Sequence, residues 1–156
     1  MLKRFEEEQL TTAKKFSHST IHKPRLEEEY TRQLITFLLA DEANNHKRWK
    51  EEFKDLNHDG RIIMIYGSIL HNYQKAADID IMIATNDNDN PTKIKEDIRK
   101  IEQQLPKKIH PIILTKEDLL LNIQQEQEAI VNIIKTAIVL YGQNDYVEVI
   151  KHITSS

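Results

Sequence analysis

Ile62-Ile63-Met64-Ile65-Tyr66-Gly67-Ser68, followed after a nine-residue spacer by Asp78-Ile79-Asp80-Ile81-Met82-Ile83-Ala84, is the stretch from which the fold is read. Arg61 to Tyr66 is a short β-branched apolar run, the pattern of a buried strand, and Asp78 to Ala84 alternates as a second strand does. Alternation puts Asp78 and Asp80 on one face and Ile79, Ile81 and Ile83 on the other, toward a core. Only 11 residues, Gly67 to Ala77, separate the two strands, slightly short for a parallel crossover, so an antiparallel pair is expected.

Downstream, Asn90-Pro91 reads as a helix cap with proline at the first helical position, opening a helix with Ile94, Ile98, Ile101 and Leu105 on one face. Lys108 to Leu114 is a third strand. The 22 residues from Asn86 to Lys107 are enough for a right-handed parallel crossover to it. Thr115 to Asp118 resembles a capping box, and one helix is expected from there to about Tyr141, closed by Gly142 and burying Ile123, Ile130, Ile134 and Ile138. The tail from Tyr146 reads equally as a short strand or a turn of helix. Upstream, residues 1 to 56 read as helical, with Tyr30, Leu34, Phe37, Leu38 and Asp41 on one spacing, Trp49, Phe53 and Leu56 on another, and a break at Asn44-Asn45. The stretch before Pro24 is the weakest part of that reading. The expected fold is α/β (α+β), a small mixed sheet with helices packed on it. The expected division is a helical region 1–56, a sheet domain 57–145 and a tail 146–156.

The 156 residues hold 22 Lys+Arg, 25 Asp+Glu and no cysteine, so disulfides, thiol nucleophiles and Cys-ligated metals are excluded. A net charge of -3 supplies no global basic field for nucleic acid, which leaves room only for a local basic patch, and Lys47, Arg48 and Lys50 are balanced by Glu51 and Glu52. The apolar runs are too short to span a membrane, and a cytoplasmic protein is the expectation. Asp55 to Ile62 matches the start of a calcium loop of the EF-hand type, but Tyr66 stands where the bidentate Glu belongs. His18 and His22 have the spacing of two ligands on one helix face, without the glutamate of the zinc hydrolase motif. Both segments read as turn or loop.

Two aspartates on one strand face suit hard divalent cations, and a pair of metals is bridged by such carboxylates. Gly67 permits close backbone approach to a ligand, and a helix starting at Ser68 would aim N–H groups at an anion. An antiparallel pairing brings the two halves together. The constellation resembles the minimal nucleotidyltransferases of the DNA polymerase β superfamily, whose signature is an apolar strand, Gly-Ser, a spacer and Asp-x-Asp. The likeness covers about Asn57 to Gly142. It implies that Gly67 and Ser68 hold the terminal phosphates of a nucleoside triphosphate, ATP foremost. It also implies that Asp78 and Asp80 ligate a pair of Mg²⁺ or Mn²⁺ ions, and that a nucleoside monophosphate passes to an acceptor. Some members act as antitoxins on a partner toxin, so a protein acceptor is one version.

The sequence departs from the family at several places. Leu70-His71-Asn72 replaces Ala-Arg-Gly; Asn72 can tolerate the left-handed conformation in place of glycine, and Lys75 reads either as a stand-in for the arginine at the phosphates or as an exposed loop lysine. Ala77 replaces the serine before the first Asp. The third carboxylate of active members has no counterpart on the next strand, where His110 is nearest and available as metal ligand or base. A degenerate fold that binds nucleotide or a partner without turnover is therefore the alternative.

Overall fold

The structure is a computed structural model and describes residues 2–154. The expected sheet is present. Strands β3 (Ile62–Tyr66) and β4 (Ile79–Thr85) pair antiparallel, and β4 pairs parallel with β5 (Ile109–Thr115) through helix α4 (Pro91–Glu102). The order is β5-β4-β3-β6, where β6 is Ile138–Tyr141, antiparallel to β3. Pro111 is tolerated because β5 is an edge strand, where a missing N–H disrupts no second ladder.

Both sheet faces are covered. Ile63, Ile65, Ile79, Ile81 and Ile83 join Ile94, Ile98 and Ile101 of α4 and Trp49, Phe53 and Leu56 in one core. Ile62, Met64, Met82 and Ala84 point the other way, against Leu119, Ile133 and Val149. These come from α5 (Lys116–Gln124), α6 (Glu128–Thr136) and α7 (Gln143–Thr154). Asn90 caps α4 through its side chain, which accepts from the Thr92 and Lys93 N–H groups, and Thr115 caps α5 by accepting from Asp118 N–H.

Four expectations are corrected. The upstream region is not helical throughout. After α1 (Leu2–Glu7), β1 (Thr11–Phe16) and β2 (Ser19–Pro24) form a hairpin before α2 (Glu29–Asn44) and α3 (Lys47–Glu52). The β-branched Thr11, Thr12, Thr20 and Ile21 favour strand, and His18 and His22 fall on the hairpin and not on a helix. Second, the long helix expected to Tyr141 is broken. Glu126 at φ 53° ends its first part, and Ile138 to Tyr141 extends as β6 because β3 offers an open edge. Third, Gly142 closes no helix but turns β6 into α7, and the tail is helical with Val147 and Val149 buried. Fourth, Ser68 opens a three-residue 3₁₀ turn, Ser68–Leu70, and no α-helix.

The segment from Asp55 ends in a buried arginine. The Arg61 guanidinium forks onto both oxygens of Asp89, with Nη2 2.8 Å from Oδ1, and donates to Leu56 O. It is a structural tie between the start of β3 and the segment that follows β4, in keeping with the turn reading. Trp49 and Phe53 stack at 6.2 Å inside the core. Among the described residues, no helix is long and apolar enough to cross a membrane.

Candidate active site

Strand parity builds the site. Along β4, Asp80 shares its face with Met82 and Ala84, while its neighbours Ile79 and Ile81 are fully buried on the other. Asp78 lies one residue before β4, two residues from Asp80. The register places Tyr66 of β3 and His110 of β5 as the partners of Asp80 on either side, so the three side chains form one row across the sheet. His110 Nδ1 is 3.0 Å from Asp78 Oδ2 and 4.0 Å from Asp80 Oδ1. Asp78, Asp80 and His110 each offer a ligand atom within 4.8 Å of the others.

The aspartates are partly shielded, whereas His110 is 60% exposed at its side chain, so the group opens to solvent and the upstream helices do not seal it. Desolvation raises the Asp80 carboxyl above its ordinary pKa, and the Asp78 charge pushes in the same direction, against a smaller opposing pull from His110. Burial, then the Asp80 charge, raises the Tyr66 phenol, which keeps it neutral beside the acids. Two carboxylates facing each other without a cation are mutually costly. A bound divalent ion would remove that cost, and oxygen ligands are what Mg²⁺ and Mn²⁺ take. Asp78, Asp80 and His110 therefore fit a divalent cation as a donor set.

Gly67 follows β3 at φ 81° and ψ -162°, a conformation that L side chains rarely adopt. A Cβ built there would stand 2.6 Å from Asp80 Oδ2. The backbone thus passes directly against the carboxylate, and Ser68 is exposed beside it. The chain then turns on itself, with His71 and Asn72 N–H donating to Ser68 O.

Not every expected residue arrives. Lys75 is exposed and forms no ion pair among the described residues, its backbone N–H bonding Asn72 Oδ1. Asn72 does not take the left-handed conformation. Its side chain instead holds the turn that carries the spacer.

Residues that the sequence reading passed over fix this spacer. The Tyr73 ring lies under Arg48 at 4.0 Å and Lys107 at 5.0 Å, and the Lys107 ammonium donates to Ala76 O. Both cations thereby clamp the loop that delivers Asp78. An aromatic residue midway in a polar spacer was the available signal for Tyr73. Nothing in the sequence pairs it with Arg48 or Lys107.

The family described as Polymerase beta, Nucleotidyltransferase matches residues 47–146, a span that takes in α3 as well as the whole four-stranded sheet. No curated protein and no solved structure matches the chain. The strand, Gly67-Ser68 turn and acidic pair stand within the matched span, in the order that the resemblance implies. By that match over most of its length, the chain belongs to the polymerase β nucleotidyltransferase family.

Proposed function

We propose that the protein is a Mg²⁺-dependent nucleotidyltransferase that moves a nucleoside monophosphate, from ATP foremost, to a hydroxyl of a protein acceptor. The observation that carries this reading is the convergence of Asp78, Asp80 and His110 beside the Gly67 backbone. Asp78 and Asp80 would hold the divalent cation, with His110 as a neutral nitrogen ligand on the open side. When bound, the cation supplies charge neutralisation on the phosphates. The Gly67-Ser68 turn would seat the terminal phosphates against exposed backbone, with Lys75 at the rim when the loop carries a nucleotide.

In the transfer, the acceptor oxygen bonds to the α-phosphorus, the α–β phosphoanhydride breaks and pyrophosphate leaves. The hydroxyl proton passes to a carboxylate of the pair or to solvent. Such chemistry relies mainly on positioning and charge neutralisation, so few protein groups suffice. A protein acceptor, such as a toxin partner, is the version of this reading that the resemblance to antitoxin members suggests. A cytoplasmic setting is part of the reading, since nucleoside triphosphates are at hand there.

A second reading is favoured by position 110, where a histidine 3.0 Å from Asp78 stands in place of the acid of active members. On that reading the protein binds nucleotide or partner without turnover. Incubation with α-labelled ATP and Mg²⁺ or Mn²⁺, with and without cell extract, separates the two. Label transfer lost in Asp78→Ala and Asp80→Ala supports the enzyme. Nucleotide binding with no transfer to any acceptor supports the module. Unchanged binding and transfer in both variants refutes the site.

A further inference from the structure

Residues 11 to 25 of this acidic chain contain Lys14, Lys15, Lys23 and Arg25 and no carboxylate at all. Arg25 is neutralised locally by Glu27 and Glu28, but Lys14, Lys15 and Lys23 have no ion pair among the described residues. The segment is the β1–β2 hairpin, and its pairing decides which side chains share a face. Cross-strand partners lie on the same face, so Thr11, Ala13, Lys15, Thr20, His22 and Pro24 form one side. That side is anchored: His22 Nδ1 is 3.0 Å from Glu6, while Thr11 and Pro24 help line an apolar cavity with Phe5, Leu34 and Leu38.

The opposite side carries Thr12, Lys14, Phe16, Ser19, Ile21 and Lys23, every one exposed. Phe16 and Ile21 are each about half exposed, and the Lys14 ammonium sits 5.5 Å from the Phe16 ring centre. Free ammonium groups, hydroxyls and an open aromatic ring on one flat ribbon face are the groups that contact phosphate, sugar and base edges. We infer that this hairpin face is a docking surface for double-stranded DNA, distinct from the nucleotide site. Charge complementarity names the occupant, since a polyanion matches the unpaired Lys14 and Lys23 on a face that carries no acid. Shape narrows it further. A two-stranded ribbon enters the B-form major groove, about 12 Å wide, whereas the A-form groove of RNA is too narrow and deep. A lipid surface fits less well, because Phe16 and Ile21 alone offer little apolar area to bury.

The test uses the full chain and a fluorescein-labelled duplex of about 25 base pairs, titrated by anisotropy across a salt series. Binding at low salt is expected, weakening as salt rises. In the Lys14→Ala/Lys23→Ala variant, affinity at low salt drops by about tenfold. The slope of log affinity against log salt becomes shallower by about 0.9 for each phosphate contact removed. Phe16→Ala weakens binding at fixed salt and leaves the slope alone. Because all three residues are exposed, unchanged thermal melting and unchanged Mn²⁺ binding show that the fold is intact. The inference is overturned if the wild-type chain does not bind the duplex at low salt, or if the double lysine variant keeps both affinity and slope. It is equally overturned if an RNA duplex binds more tightly, or if phosphatidylserine vesicles bind and the DNA duplex does not.

Discussion

Gly67 and Asp80 touch across the β3–β4 pair: a Cβ on residue 67 would stand 2.6 Å from Asp80 Oδ2, and the Gly67 backbone holds a φ of 81°. The glycine is therefore tied to the site by space as well as by conformation. Gly67→Ala should destabilise the protein by about 1–3 kcal/mol through backbone strain. It should also move the Asp80 carboxylate and weaken Mn²⁺ binding. Denaturant melts and calorimetric Mn²⁺ titration read the two effects separately.

Asp80→Asn should have opposite effects on stability and on binding. Burial and Asp78 make the Asp80 charge unfavourable in the folded protein without a cation. The neutral amide relieves that cost, so stability without metal should rise by about 1 kcal/mol, the scale common when a functional site is relaxed. The gain in melting temperature that Mn²⁺ gives the wild type should disappear. A variant that melts lower in metal-free buffer contradicts this account of the site.

His110 occupies the register position opposite Asp80 on the edge strand. His110→Asp should add a third hard oxygen donor and tighten Mg²⁺ binding by about tenfold. His110→Ala should weaken Mn²⁺ binding by a similar factor while leaving the melting temperature almost unchanged, because the side chain is largely exposed. Equal Mn²⁺ affinity in wild type and His110→Ala removes the histidine from the donor set.

Asp89 titrates in the service of the fold. Its hydrogen bonds from Arg61 hold the carboxyl below the ordinary aspartate range. A carboxyl with a depressed folded-state pKa contributes stability above its unfolded-state value, and that contribution is lost as pH falls through the folded-state value. Asp89→Asn should cost about 3 kcal/mol at neutral pH, since it leaves the Arg61 guanidinium buried without its counter-ion. The variant should lose less stability than wild type between pH 5 and the acid limit, about pH 2. Urea midpoints across pH measure both.

Gly142 joins β6 to α7 at φ 75°, and a Cβ there would lie 2.1 Å from Arg61 O. The obstruction is backbone and cannot swing aside. Gly142→Ala should therefore cost at least about 3 kcal/mol, more than Gly67→Ala, where the neighbour is a side chain. Comparing the two variants by thermal melting checks the ranking.

Where local chemistry has no competitor, the sequence alone determined the outcome. Strand β3, the alternating β4 with its paired aspartates, the Asn90-Pro91 cap and the parallel crossover to β5 follow from periodicity, capping and loop length. Tertiary structure decided the rest. Ile138 to Tyr141 carries an apolar pattern that serves helix and strand alike, and only the open edge of β3 selects strand. The β1–β2 ribbon is legible in Thr11, Thr12, Thr20 and Ile21 only once the pairing is known, because a strand is stabilised by its neighbour and not by itself. His110 entered the acidic pair for the same reason. No spacing in the sequence fixes the register between β4 and β5, and a one-residue slip would have sent its imidazole to the opposite face.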